Sequence, residues 1–204
     1  MEEIGLFPLG IVLLPTERVP LHIFEERYRE LVGESLADDR RFGLVFADDD
    51  GVRSMGTKAA VAQVLNRFPD GRMNIIVEGE ERFTIVRMTG GRSFDMAEVE
   101  LVEDEPDSGP QAEQVEATLE AFGDLAELAG TDLPDLDPAD PQLSFVIAGR
   151  IEFEASAKQE LLESRSERHR QERLIELLDE AAETLRFQKL ARERASGNGQ
   201  VESS

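Results

Sequence analysis

Residues 8–28 read PLGIVLLPTERVPLHIFEERY. Three prolines, Pro8, Pro15 and Pro20, punctuate an apolar run that passes at Phe24 into a charged segment. Proline lacks an amide hydrogen and fixes its own φ, so neither Pro15 nor Pro20 sits inside a helix and the stretch is extended. Residues 11–14 are a strand candidate, and residues 19–23 continue in β or turn conformation. At Phe24 the period changes. Tyr28, Leu31, Val32 and Leu36 recur at helical spacing, and Glu25 and Glu26 lie at the positive end of the dipole, which predicts a helix over 24–38. The stretch is no signal peptide: Glu2 and Glu3 make its front acidic and prolines break its run. It is also too short and too interrupted to span a bilayer. It reads as buried core.

Working outward, the next hundred residues carry β signals. An apolar run at 42–46 reads as a strand, Asp48-Asp49-Asp50-Gly51 as a turn, and 57–68 as a loosely alternating strand. Asp70-Gly71 is a strong hairpin signal leading into 73–78. Gly79-Glu80 reads as a break before 82–88, and Gly90-Gly91 as another turn. Ala97, Val99 and Leu101 alternate with Glu98 and Glu100, the pattern of a strand with one wet face. About six short strands and one helix suggest a small twisted barrel or sandwich.

Residues 103–110, EDEPDSGP, have linker composition. Beyond them the pattern is helical. Val115, Leu119, Phe122, Ala126 and Ala129 share one helix face, and Leu143, Val146, Ile147 and Ile151 form the next stripe. Asp140-Pro141 has the form of a helix start. Ser156 to Gln159 and Ser164 to Glu167 both have capping-box spacing. Leu174, Leu177, Leu178, Ala181 and Leu185 mark a last helix running to about residue 194. The expected fold is α+β: a β-rich N-terminal subdomain over 1–103, an acidic linker over 104–110, a helical subdomain over 111–194 and a disordered tail over 195–204.

Composition narrows the function. The chain has 204 residues, 44 acidic against 22 basic, and a formal net charge of −22. Such a field repels phosphates, so nucleic acid and anionic membrane surfaces are not expected partners. There are no cysteines, which removes thiolate metal sites and cysteine nucleophiles and fits a reducing cytoplasm.

Catalytic motifs fail in turn. His22 and His169 lie in different halves, and neither has metal-ligand spacing. The Asp48–Gly51 run lacks the alternation of a calcium loop. Asp132, Asp135, Asp137 and Asp140 are spread between prolines, as in an acidic loop. Ser156 and Lys158 superficially resemble a Ser–Lys pair, but helix capping explains the serine more simply. No GxxxxGK[ST] run exists for a nucleotide, and one tyrosine with no tryptophan leaves little for base stacking.

Residues 7–32, FPLGIVLLPTERVPLHIFEERYRELV, resemble the signature of the Lon protease N-terminal, substrate-binding domain family, and within it the stand-alone members. Arg41-Phe42-Gly43, Met55-Gly56-Thr57, Asp70-Gly71-Arg72 and Gly79-Glu80-Glu81-Arg82-Phe83 match further family elements. The blocks at 143–148 and 158–163 in the helical half also match. Thr16 departs from a frequent glycine, and Glu26 from a frequent proline. The resemblance implies a PUA-like β pseudo-barrel of about six strands with one helix, followed by a helical bundle. It implies a module that recognises unfolded or tagged polypeptide and leaves ATP hydrolysis and peptide cleavage to other modules.

The expected protein is therefore a non-catalytic, cytoplasmic binding module without cofactor, acting in protein quality control or as an adaptor. Its expected partners are unfolded or extended polypeptide segments or a partner protein. A small-molecule sensor using a cleft between the halves is the alternative, and a peptidase with an unrecognised site the more remote one. Two surfaces suit such roles: the groove between the halves, and an exposed sheet edge. Candidate residues at the strand-to-helix corner are Pro20, Leu21, His22, Phe24, Glu25, Tyr28 and Arg29. Arg67 and Arg82, on neighbouring strand segments, are candidates to pair locally or to grip a carboxylate.

Overall fold

The structure, a computed structural model, describes residues 1–106 and 109–197, apart from the side chains at 193 and 195–197. Residues 107–108 of the expected linker and 198–204 of the expected tail lie outside the described residues. The chain runs β1 (Glu2–Leu9), β2 (Arg18–Ile23), α1 (Glu26–Asp38), β3 (Phe42–Asp48), β4 (Gly51–Arg67), β5 (Met73–Thr89), β6 (Met96–Leu101), α2 (Ala112–Ala129), α3 (Leu143–Ala148), α4 (Ala155–Glu163) and α5 (Glu167–Gly197). This is the expected α+β architecture: six strands and one helix, then four helices.

The strand order is β2-β5-β4-β3-β1-β6, and β6 also pairs with β5, so five strands close on themselves and β2 is added outside. β1 and β3 are parallel. A parallel pair needs a long crossover, and residues 10–41, with β2 and α1, supply it. Ile4, Leu6, Val45, Phe83, Ala97 and Val99 fill the closed part. Tyr28, Leu31 and Val32 of α1 pack with Phe7, Phe42, Met73, Ile75 and Val77 in a second core. A third core joins α2 to α5 through Phe122, Leu143, Phe145, Leu161, Leu162, Leu174 and Leu178.

The quoted stretch proves to be the seam. The first strand lies at Glu2–Leu9, ahead of the expected position, and residues 11–14 form no strand. A continuous apolar run has no period, so its pairing segment cannot be chosen from sequence alone. Val12 and Leu14 instead enter the helical core while Leu13, between them, enters the α1 core. One extended segment thus pins two cores together.

The second difference is at Gly79. No break occurs there: β5 runs unbroken for 17 residues. The glycine serves a close approach, since a Cβ at this position would stand 2.1 Å from the Leu14 carbonyl oxygen. Its amide donates to the Glu17 carbonyl at 2.9 Å, and its carbonyl accepts from the Thr16 amide at 2.8 Å. The 14–17 turn therefore crosses β5 at the one residue that leaves room for it.

The helix starts also differ in detail. α4 begins at Ala155, so Ser156 lies inside it. At α5 it is Ser166, not Ser164, whose hydroxyl accepts the His169 amide, at 3.3 Å. Glu167, expected as the capping-box acid, turns into the core and accepts the amide and hydroxyl of Ser144 at 2.9 and 2.6 Å.

Candidate functional site

β2 organises the surface. It pairs with β5 on one side only, from Arg18 opposite Glu78 to Ile23 opposite Met73. Because Gly79 bonds to Glu17, the alternation of an antiparallel ladder makes Val19, Leu21 and Ile23 the residues that bond to β5. The backbone groups of Arg18, Pro20 and His22 then point to the free edge. Pro20 has no amide hydrogen, so the open edge misses one donor at its centre, a device that blunts edge-to-edge pairing.

The near end of this edge borders a cleft between the two halves. A cleft of about 650 Å³ lies between Ile11, Val12, Val19 and Pro20 on one wall and Phe153 and Ala155 on the other. Its floor holds an ion pair between Glu17 and Lys158, both largely buried. The second Glu17 oxygen accepts the Leu14 amide at 2.9 Å, which holds the carboxylate in place. A smaller cleft of about 290 Å³ adjoins it, sharing Glu17 and Arg18 and bounded further by Thr16, Val146, Gly149 and Arg150.

The far end of the edge carries aromatic rings. Phe24 is 60 % exposed and Phe68 37 % exposed. The His22 ring stacks on Phe24 with centroids 5.9 Å apart and meets Phe68 edge-on at 6.3 Å. Asn74 fixes the imidazole through a 2.6 Å bond to Nδ1, and the Arg72 guanidinium lies 5.4 Å from the Phe68 ring centre. A strand rises about 3.3 Å per residue, so along β2 the rings begin, at His22, roughly 7 Å beyond the cleft wall at Pro20 and end, at Phe24, roughly 20 Å from Arg18.

The nine sequence candidates divide. Pro20, His22 and Phe24 share the exposed edge, and Leu21 is half-buried beneath them. Tyr28 is buried, with its ring stacked on Phe7 at 4.0 Å, and burial pushes its hydroxyl pKa up. Glu25 precedes α1 and pairs with Arg27 at 3.0 Å. Arg29 reaches from α1 to the Asp70 carbonyl at 2.5 Å and so anchors the helix to the β4–β5 turn. Arg67 is exposed at the end of β4, with no ion pair among the described residues.

Arg82 lies elsewhere, at the opposite side of the seam. It is buried and donates to the Leu162 and Ser164 carbonyls, the former at 2.9 Å, and pairs with Asp104. Burial, and next the charge of Arg170, press its pKa down. Phe68, Phe153, Thr16 and Arg150 were absent from the sequence candidates. The one signal for Phe153 was its place between Glu152 and Glu154, an alternation of strand type in a helical region. Among the described residues no group of three or more His, Cys, Asp or Glu side chains is placed to hold a metal ion, and no helix is long and apolar enough to cross a membrane.

A family model described as the ATP-dependent protease La (LON) substrate-binding domain matches residues 3–180. Among curated proteins, Lon protease of Buchnera aphidicola is 24 % identical over 208 residues, covering 94 % of this chain and 26 % of that protein. Lon protease of Azospirillum brasilense is 27 % identical, covering 93 % and 26 %. The chain thus spans about a quarter of the length of these relatives. The Lon N-terminal domain protein of Xanthomonas campestris has a similar fold, with a TM-score of 0.68 at 22 % identity over 86 % of this chain and 98 % of that one. The N-terminal domain of Mycobacterium avium complex Lon protease gives 0.67 at 21 % identity over 89 % and 98 %.

Proposed function

The chain belongs to the Lon substrate-binding domain family, and from that premise we propose that it is a non-catalytic module that recognises extended or unfolded polypeptide. The bound segment lies along the free edge of β2, from the cleft between the halves to the rings of His22, Phe24 and Phe68. The observation that carries this reading is the exposure of Phe24 beside Phe68 at the end of a strand with one open edge. Exposed large apolar groups gathered in one patch suit apolar side chains of a chain that has lost its own core. The missing donor at Pro20 disfavours a regular added strand, so recognition rests on side chains and tolerates many sequences. The role is that of a substrate-recognition or adaptor component of protein quality control in the cytoplasm, with 1–103 and 111–194 as its two subdomains.

The test is fluorescence anisotropy with labelled fragments of an unfolded protein. Micromolar binding that weakens in a Phe24→Ser, Phe68→Ser double variant supports the reading. No binding at high micromolar protein, by either the parent or the variant, overturns it.

A further inference from the structure

The smaller cleft has a chemical bias that the rest of the surface lacks. Acids outnumber bases two to one in this chain, and its arginines and lysines are accordingly engaged. Arg18 pairs with Glu78 at 2.6 Å, and Lys158 is held by Glu17. Among the described arginines and lysines ahead of Arg186, only Arg67 and Arg150 lack an ion-pair or hydrogen-bond partner. Arg67 lies on open strand surface, whereas Arg150 lines the cleft. A guanidinium left free in so acidic a protein is a vacant seat for an anion.

Thr16 supplies a second vacant donor. Its φ is 67°, left-handed for a β-branched residue, a conformation that persists only where the surroundings impose it. Its amide is fixed on Gly79, and its exposed hydroxyl has no partner among the described residues. The wall that carries Arg150 is equally fixed. A Cβ on Gly149 would lie 3.1 Å from Glu17 Cβ and 3.2 Å from the Phe145 carbonyl oxygen, so the end of α3 is pressed against the 14–17 turn.

The adjoining larger cleft is apolar along Ile11, Val19 and Phe153, and Glu152 and Glu154 stand exposed on its rim without ion-pair partners among the described residues. A free cation, an apolar channel and free acids thus line the two adjoining clefts. We infer that this paired cleft captures the C-terminal end of a polypeptide: the terminal carboxylate on Arg150 and Thr16, apolar last residues in the channel, and a basic or neutral residue upstream beside Glu152 and Glu154. The inference rests on the polypeptide-binding reading and adds a polarity and a chain end to it.

The experiment compares one labelled decapeptide, ending in leucines with a lysine upstream, as free acid and as C-terminal amide. Each is titrated with the parent protein, Arg150→Ala, Thr16→Gly and Arg67→Ala. The free acid binds about tenfold more tightly than the amide, the difference of one charge-assisted contact. Arg150→Ala removes the difference between acid and amide, Thr16→Gly reduces it, and Arg67→Ala has no effect on it. Equal binding of acid and amide overturns C-terminal capture while polypeptide binding stands. Binding of neither overturns both. Displacement of the peptide by N-acetyl-leucine at equal concentration overturns the polypeptide as occupant in favour of a small carboxylate.

Discussion

Arg82 and Arg170, one from β5 and the other from α5, close on the same carboxylate, that of Asp104. Arg170 is fully buried and reaches it with a 2.7 Å bond, while Glu167 takes the other side of the guanidinium, also at 2.7 Å. Both guanidiniums face the Phe145 ring, at 5.3 and 4.3 Å. Asp104 sits where the strands end and the helices have not begun, so one side chain of the connecting segment ties the two halves together.

Removing that carboxylate leaves a buried cation with only Glu167 for compensation. Asp104→Ala is expected to cost about 3–5 kcal/mol. The check is a urea transition with a lower midpoint and an unchanged slope. A loss of a few tenths would show that solvent reaches Arg170 after all.

The same pair gives the protein an acid limit. Burial alone would push the Asp104 carboxyl up, but the hydrogen bond and charge of Arg170, and then of Arg82, outweigh it and hold the pKa below the ordinary value. The unfolded chain therefore takes up this proton more readily than the native one. Stabilisation from Asp104 is complete well above about pH 4 and is lost as pH falls through the depressed native value. The stability gap between the parent and Asp104→Asn narrows on acidification through that window; a constant gap would sink the assignment.

Gly79→Ala forces the 14–17 turn off β5, because the new methyl would overlap the Leu14 carbonyl. The expected loss is about 3 kcal/mol or more. Gly90→Ala, with nothing within 4 Å of its added Cβ, is the control and stays within about 0.5 kcal/mol. Thermal melts of the two variants decide it.

Thr16→Gly relieves a left-handed threonine. Relief of that strain exceeds the added chain entropy of glycine, for a net gain of up to about 1 kcal/mol. A variant that melts higher yet loses preference for a free carboxylate would show stability exchanged for recognition at this position.

The exposed rings behave in the opposite way. Phe24→Ser changes stability by no more than about 0.5 kcal/mol and Phe68→Ser, whose ring is more covered, by about 1 kcal/mol, yet both lower the affinity for unfolded polypeptide. Parallel melts and titrations separate these effects, and a large drop in melting temperature would make the rings structural.

Turn chemistry and alternation made most of the fold legible. Asp70-Gly71 marked the β4–β5 turn, and Ala97 and Val99 marked the inner face of β6. The helical stripes at Phe122 and Ala126, and at Leu174 and Leu178, were equally plain. What stayed hidden has a common physical cause, namely contacts across long sequence distance. Nothing local to Arg170 says that it is fully buried, because its partner Asp104 is 66 residues away. Gly79 looks like a breaker until Leu14 is laid across it. At the candidate site, the corner motif pointed to Pro20, His22 and Phe24, but Phe68 and Phe153 join them only through the fold.

β5 bonds to β2 along its first half and to β6 along its second, with β4 on its other side. A segment gripped along β2 and pulled from one end loads the β2–β5 ladder lengthwise. Six facing residue pairs then resist together, as in shear, instead of opening one after another like a zipper. The strand that receives the load is the one that closes the barrel, so tension passes on to β4 and β6 through their ladders with β5.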